Sequence, residues 1–149
     1  PLPMRYSVAL GSHFPVLETS SGAVLLAALP PAERETLVRR ILSCDEAGAT
    51  RPEIDARLAA ISELGYEMRA SLAVDGCTNI SLPVRDHMGA TVAALTVPYL
   101  PQKRARFSRE SVLETTRMAA NEISRALGAP EQAGRNRAIR LPAAEEQKR

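Results

Sequence analysis

Aromatic side chains are nearly missing from this sequence: it has two Phe, three Tyr and no Trp in 149 residues. A core built without them must come from Leu, Val, Ile and Ala. Cysteine is equally sparse, with only Cys44 and Cys77 and no CxxC spacing. That excludes a disulfide scaffold and a cysteine zinc site, and points to a reducing, cytoplasmic compartment. Charge of one sign is lacking too: 19 Lys and Arg stand against 17 Asp and Glu, a formal net charge of +2. So weak a balance excludes a chain that holds nucleic acid by charge alone. Most of the excess sits near the end, where Arg135, Arg137, Arg140, Lys148 and Arg149 outnumber Glu145 and Glu146. Long hydrophobic runs are absent. The longest candidate, Ala23 to Leu29, is far too short to cross a membrane, so no membrane partner is expected. No signal-peptide pattern opens the chain. It starts abruptly on Pro1-Leu2-Pro3, from which we expect a fragment edge.

Chemistry-bearing patterns are missing as well. There is no GxxxxGK[ST] phosphate loop, and His, Cys and carboxylates do not fall at ligand spacing. His13 and His87 both sit in predicted turns, with nothing placing either beside Cys77 or Ser21. We therefore expect no cofactor, no metal and no enzyme, and a small hydrolytic enzyme is the least supported reading.

What remains is ordinary globular composition, 45 % apolar and 24 % charged. The length fits about one domain. Met4, Tyr6, Val8 and Leu10 alternate as a strand. Ala23 to Leu29 predicts a helix apolar on all sides, hence buried, with Ser20 or Ser21 as its cap. Pro30-Pro31 separates it from a second helix whose apolar face is Leu37, Val38, Ile41 and Leu42. Thr50-Arg51-Pro52-Glu53 reads as a capping box for a third, with Ile54, Leu58, Ile61 and Leu64 as its stripe and Gly65 as its stop. Tyr66 to Val74 and Cys77 to Val84 alternate around Asp75-Gly76, a hairpin signal. Thr91 to Val97 is almost wholly apolar and predicts a central strand covered on both faces, ended by Pro98 and Pro101. Ser108 caps the last helix, with Phe107 stapled to Val112 and a buried stripe of Val112, Ala119, Ile123 and Leu127. Helices grouped apart from a meander of antiparallel strands describe an α+β domain, with the last helix across one face of the sheet. Residues 130–149 are expected to be a disordered tail beyond a domain at 1–129.

Five segments in order resemble the effector-binding domain of IclR-family transcription regulators. Gly11-Ser12-His13-Phe14-Pro15, followed by Gly22-Ala23-Val24-Leu25-Leu26-Ala27, is similar to the family's opening. Glu63-Leu64-Gly65-Tyr66 resembles its helix exit. Leu82-Pro83-Val84-Arg85-Asp86 with Gly89 resembles its hairpin, Val92 to Val97 its next strand, and Ser124 to Gly128 its ending. The resemblance covers Gly11 to Gly128. It implies a GAF-like fold in which an antiparallel sheet has helices packed on its faces. It also implies a homo-oligomer (dimer or tetramer) and a small-molecule effector. DNA is implied only through an N-terminal winged helix-turn-helix that, with the domain's first strands, lies outside this chain.

The family's pocket lies between the sheet and the loop that opens the buried helix. Small residues Ser20, Ser21 and Gly22 there would let a ligand approach the backbone, and a helix N-terminus suits a carboxylate. The resemblance further implies pocket positions at Arg69, Asn79 and Thr96. Asn79 shares its strand face with Cys77 and Ser81, a polar face that is either solvated or lines a cavity. Thr96 lies between apolar neighbours, so its hydroxyl should be buried and need a partner, such as a backbone carbonyl. Arg69 stands where some relatives are acidic, and it could fork onto a carboxylate. Leu17, Leu25 and Leu95 are candidate apolar lining, with Pro98 and Tyr99 as one wall. The expected effector is an organic or keto acid. The alternative is a GAF-like oligomerisation module without a ligand, its last helix packing through Thr115, Thr116, Ala119 and Ala120.

Overall fold

The computed structural model describes residues 10–44, 48–72, 74–101 and 107–130. The strand expected at 4–10 falls outside them except for Leu10, which is fully exposed in a turn. The basic tail also lies outside them. Helix α1 (Ser20–Ala28) is capped by Thr19, whose hydroxyl accepts the Gly22 amide at 3.0 Å. The cap thus sits one or two residues earlier than expected. Ala23, Val24, Leu26 and Ala27 are buried, but Leu25 is 38 % exposed, so α1 is not covered all round.

Helix α2 (Pro31–Ser43) begins on a proline, whose missing N–H would have had no helical partner at that position. Of its expected face only Val38 is buried, while Leu37 is exposed. Helix α3 (Arg51–Leu64) has the expected capping box, with the Glu53 carboxylate accepting the Thr50 amide at 2.7 Å. That bond holds the Glu53 carboxyl below its usual range. Ile54, Leu58 and Ile61 are buried. Gly65 stops the helix at φ 77°, a conformation that a Cβ would strain.

Strands β1 (Glu67–Ala70), β2 (Thr78–Arg85) and β3 (Thr91–Tyr99) form an antiparallel sheet in the order β1-β2-β3. β1 is shorter than its alternating sequence, because Ser71 already turns back to bond the Cys77 carbonyl at 2.8 Å. The hairpin turn passes through Asp75-Gly76. Of the three described strands β2 is the middle one. Among the described residues β3 is an edge strand, with Val92, Ala93 and Thr96 exposed. Among the described residues β2 is the strand that pairs with β3, and the strand expected at 4–10 lies outside them. β3 continues through Pro98 to Tyr99, one residue past the stop expected there.

Helix α4 (Arg109–Ala126) lies across one face of the sheet, against β2 and β3, while α1 covers the other with α3 behind it. Ser108 caps α4 by accepting the Ser111 amide. Its buried row is Leu113, Thr116, Ala120 and Ser124, displaced around the helix from the expected Val112, Ala119, Ile123 and Leu127. Ile123 and Leu127 are exposed, and Phe107 is 64 % exposed, which leaves no staple. The helix buries hydroxyls because each has a partner. Thr116 donates to the Val112 carbonyl at 2.7 Å, and Ser124 donates to Ala120 while accepting the Arg85 amide. With Thr116 and Ala120 against the chain's own sheet, they are not free to form a helix-packing face with a partner. Arg117 adds a cation over the Tyr66 ring, 5.4 Å from its centroid.

Two apolar cores result. Leu17, Val24, Leu26, Val38, Ile54 and Leu58 fill the α1–α3 side, and Tyr66, Ile80, Leu82, Val84, Leu113 and Ala120 fill the α4 side. This is the expected α+β, GAF-like arrangement of helices on both faces of an antiparallel sheet. If Leu113 rather than Ile123 anchors α4, Leu113→Ala lowers unfolding free energy by about 2–5 kcal/mol. Ile123→Ala then changes it by less than about 1 kcal/mol. Urea titrations of both variants check this.

Candidate functional site

Strand alternation sorts the sheet's side chains. Ile80, Leu82 and Val84 point toward α4. The residues between them face α1 and α3, and cross-strand pairing brings polar groups together there. Glu67 lies opposite Ser81, Arg69 opposite Asn79, and Ser81 opposite Thr96. Four of the sequence candidates, Arg69, Asn79, Ser81 and Thr96, therefore share one face across three strands.

Their environments differ. Ser81 is wholly buried and its Oγ lies 2.8 Å from Thr96 Oγ1. Thr96 is exposed rather than buried, and its partner is this hydroxyl, not a backbone carbonyl. The pair fixes one hydroxyl in the sheet and presents the other at its surface. Asn79 is half-buried and Arg69 is exposed. An exposed guanidinium keeps its hydration, so Arg69 carries no burial cost. Of the proposed lining, Pro98 pairs with Asn79 on this face, but Leu95 and Tyr99 pack on the α4 side and Leu25 is exposed.

The remaining candidates form the entry to α1. Leu17 is buried in the α1–α3 core and anchors the loop from beneath. Ser20 and Gly22 are buried and Ser21 is half-buried. Gly22 is required by the loop itself. A Cβ there would sit 2.2 Å from the Val16 carbonyl oxygen and 2.7 Å from Thr19 Oγ1. The first-turn amides of a helix have no intrahelical acceptor, and the Thr19 hydroxyl takes that of Gly22.

A pair that the sequence reading passed over connects the two halves. Arg57, midway along α3, forks onto Glu67 through Nε at 2.6 Å and Nη2 at 3.0 Å. Its Nη1 donates to the Leu17 carbonyl at 2.6 Å, and Nη2 also reaches the Thr19 carbonyl at 3.4 Å. Both side chains are largely covered, at 17 % and 9 % exposed. The available signal was a carboxylate at an inward position of β1, which demands a cation. Arg57 lies beside Ile54, Leu58 and Ile61 on α3.

Other features carry no chemistry of this kind. Among the described residues no group of three His, Cys, Asp or Glu is placed to hold a metal. Burial pushes the Cys77 thiol upward, away from the thiolate a nucleophile needs. A cleft of about 250 Å³ opens at the other end of α1, bordered by Val24, Ala28, Ile61, Pro83, Arg85 and Thr91. None of the candidate residues borders it. It is partly open to solvent. If Gly22 serves the close approach of the loop, Gly22→Ala destabilises the fold by more than about 2 kcal/mol despite alanine's better helix propensity. Ser21→Ala stays within about 0.5 kcal/mol, and chemical denaturation distinguishes the two.

Residues 2–125 match the family model described as bacterial transcriptional regulator IclR C-terminal. The chain is 28 % identical over 124 residues to the HTH-type transcriptional regulator XynR of Escherichia coli K12, covering 81 % of this chain and 49 % of XynR. Among solved structures it resembles the repressor BlcR of Agobacterium tumefaciens, with TM-score 0.64 and 25 % identity over 83 % of this chain and 51 % of BlcR. HmgR of Pseudomonas aeruginosa gives the same TM-score, 0.64, and 25 % identity over 84 % of this chain and 50 % of HmgR. The chain thus spans about half the length of these regulators. With the family model matching most of its length, the chain belongs to the C-terminal domain family of IclR transcriptional regulators.

Proposed function

We propose that this chain is the sensing half of a longer, cytoplasmic DNA-binding regulator, and that it binds a small organic or keto acid. DNA contact then belongs to the remainder of that protein, and binding of the acid alters operator affinity. The observation that carries this reading is the shared face of Arg69, Asn79, Ser81 and Thr96, joined through Glu67 and Arg57 to the entry of α1. An exposed guanidinium, the Thr96 hydroxyl and a carboxamide can satisfy both oxygens of a carboxylate. A helix N-terminus adds favourable field for the same charge. Ser20, Ser21, Gly22 and Leu17 shape the loop on that side.

The chain acts by population shift. The acid must prefer one arrangement of the assembled regulator, or its binding changes nothing at the operator. Self-association fits the exposed apolar side chains at the C-terminal end of α4, Ile123 and the capping Leu127. An oligomerisation module without a ligand is the competing reading, and that apolar pair favours it.

Native mass spectrometry with acetate, pyruvate and benzoate separates the two. The sensor reading predicts a bound acid whose affinity falls at least roughly tenfold in Arg69→Ala, the loss of one charge-assisted bond of about 1.5–3 kcal/mol. Equal affinity in that variant removes Arg69 from the site. No adduct with any acid, together with a dimer mass, establishes the assembly reading instead.

A further inference from the structure

We infer that Arg57 and Glu67 are positioning residues that fix the α1 entry loop and set how strongly the adjoining face holds an anion. The inference deepens the organic-acid reading and rests on it, although its first test does not.

The loop's own hydrogen bonds are local. Glu18 donates to the Pro15 carbonyl, and Gly22 donates to Thr19 Oγ1. Arg57 reaches it from another element, binding the carbonyls of Leu17 and Thr19 while forked onto Glu67 of β1. Loop, helix and sheet therefore meet on one guanidinium. The direction of those bonds matters. In a trans peptide the C=O and the following N–H point opposite ways. The Thr19 carbonyl points into α1, where it accepts the Ala23 amide at 3.2 Å, so the Ser20 N–H points outward from the helix end. Arg57 Nη2 reaches the same oxygen at 3.4 Å and reinforces an orientation that the helix sets.

The charges matter as much. A lone cation beside a helix N-terminus opposes the helix dipole. Glu67 cancels Arg57 through two short bonds, so the anchor holds the loop without adding net charge to the site. A lysine could cancel the same charge but could not fork onto the carboxylate and bind two carbonyls at once. The pair also adjoins the proposed binding face, since Glu67 lies opposite Ser81, whose hydroxyl meets that of Thr96. At its far end α3 is tied to α2 by Arg51, which donates to Glu35 at 2.6 Å. A ligand that draws the loop outward must pull on Arg57 and hence on α3.

Hydrogen exchange in the whole chain, wild type against Arg57→Lys and Glu67→Gln, tests the positioning role. Exchange at Glu18 to Gly22 is expected to quicken at least about tenfold in Arg57→Lys, while the amides of α4 keep their wild-type rates. Loop exchange within about twofold of wild type in the folded variant would overturn the role. If Arg57→Lys fails to fold, Glu67→Gln, which retains the shape, is judged by the same criterion. Benzoate affinity tests the charge. Arg57→Lys should weaken benzoate roughly fivefold through the loosened loop, whereas Glu67→Gln should strengthen it roughly fivefold because the Arg57 charge is no longer cancelled. A merely structural pair would weaken binding in both. Equal affinity in all three chains overturns the charge-setting role. Failure of benzoate to bind wild type counts against the organic-acid reading, and the exchange experiment still decides the positioning role.

Discussion

One guanidinium ties three elements of this domain together. Arg57 forks onto Glu67 and binds the carbonyls of Leu17 and Thr19, so α3, β1 and the loop into α1 are fixed by a single group. Buried ion pairs add little net stability compared with apolar residues of the same shape, but removing one partner leaves an uncompensated charge and costs about 3–5 kcal/mol. The pair is therefore best understood as specifying an arrangement. Without it the loop would keep its local bonds and the packing of Leu17, but would lose its polar tie to β1.

The two faces of that sheet divide the labour. The α4 side is apolar and sealed by Leu113 and Ala120 against Ile80, Leu82 and Val84. The α1 side alternates the same strands into Glu67, Arg69, Asn79, Ser81 and Thr96. Because side chains alternate along a strand, a slip of one residue would exchange the two sets, so the apolar core enforces the register that assembles the polar face. The apolar core and the polar face are in this way consequences of one pairing.

Much of this was legible beforehand, and the failures share a cause. Local signals were read well: the Thr50–Glu53 box, the Gly65 stop, the Ser108 cap and the Asp75-Gly76 turn each depend on a few adjacent residues. Decisions that depend on distant partners went astray. The buried row of α4 was missed because Thr116 and Ser124 look polar, yet both hydroxyls are satisfied within the structure. The apolar run of β3 suggests a central strand; the described residues show one neighbour, β2, and the strand expected at 4–10 lies outside them. Arg57 and Glu67 lie ten positions apart on different elements, and neither belongs to a motif. The common face of Arg69, Asn79, Ser81 and Thr96 emerged from alternation and family resemblance, but the exposure of Thr96 and its Ser81 partner required the fold.

The most direct test of a binding face at the α1 entry is an amide NMR titration of the chain with pyruvate and benzoate. The account predicts that the largest shifts fall on Ser20 to Gly22, Arg69, Asn79 and Thr96, with the α4 amides unmoved. Shifts centred instead on Ala27, Ala28, Arg85 and Thr91, around the cleft at the opposite end of α1, would contradict it.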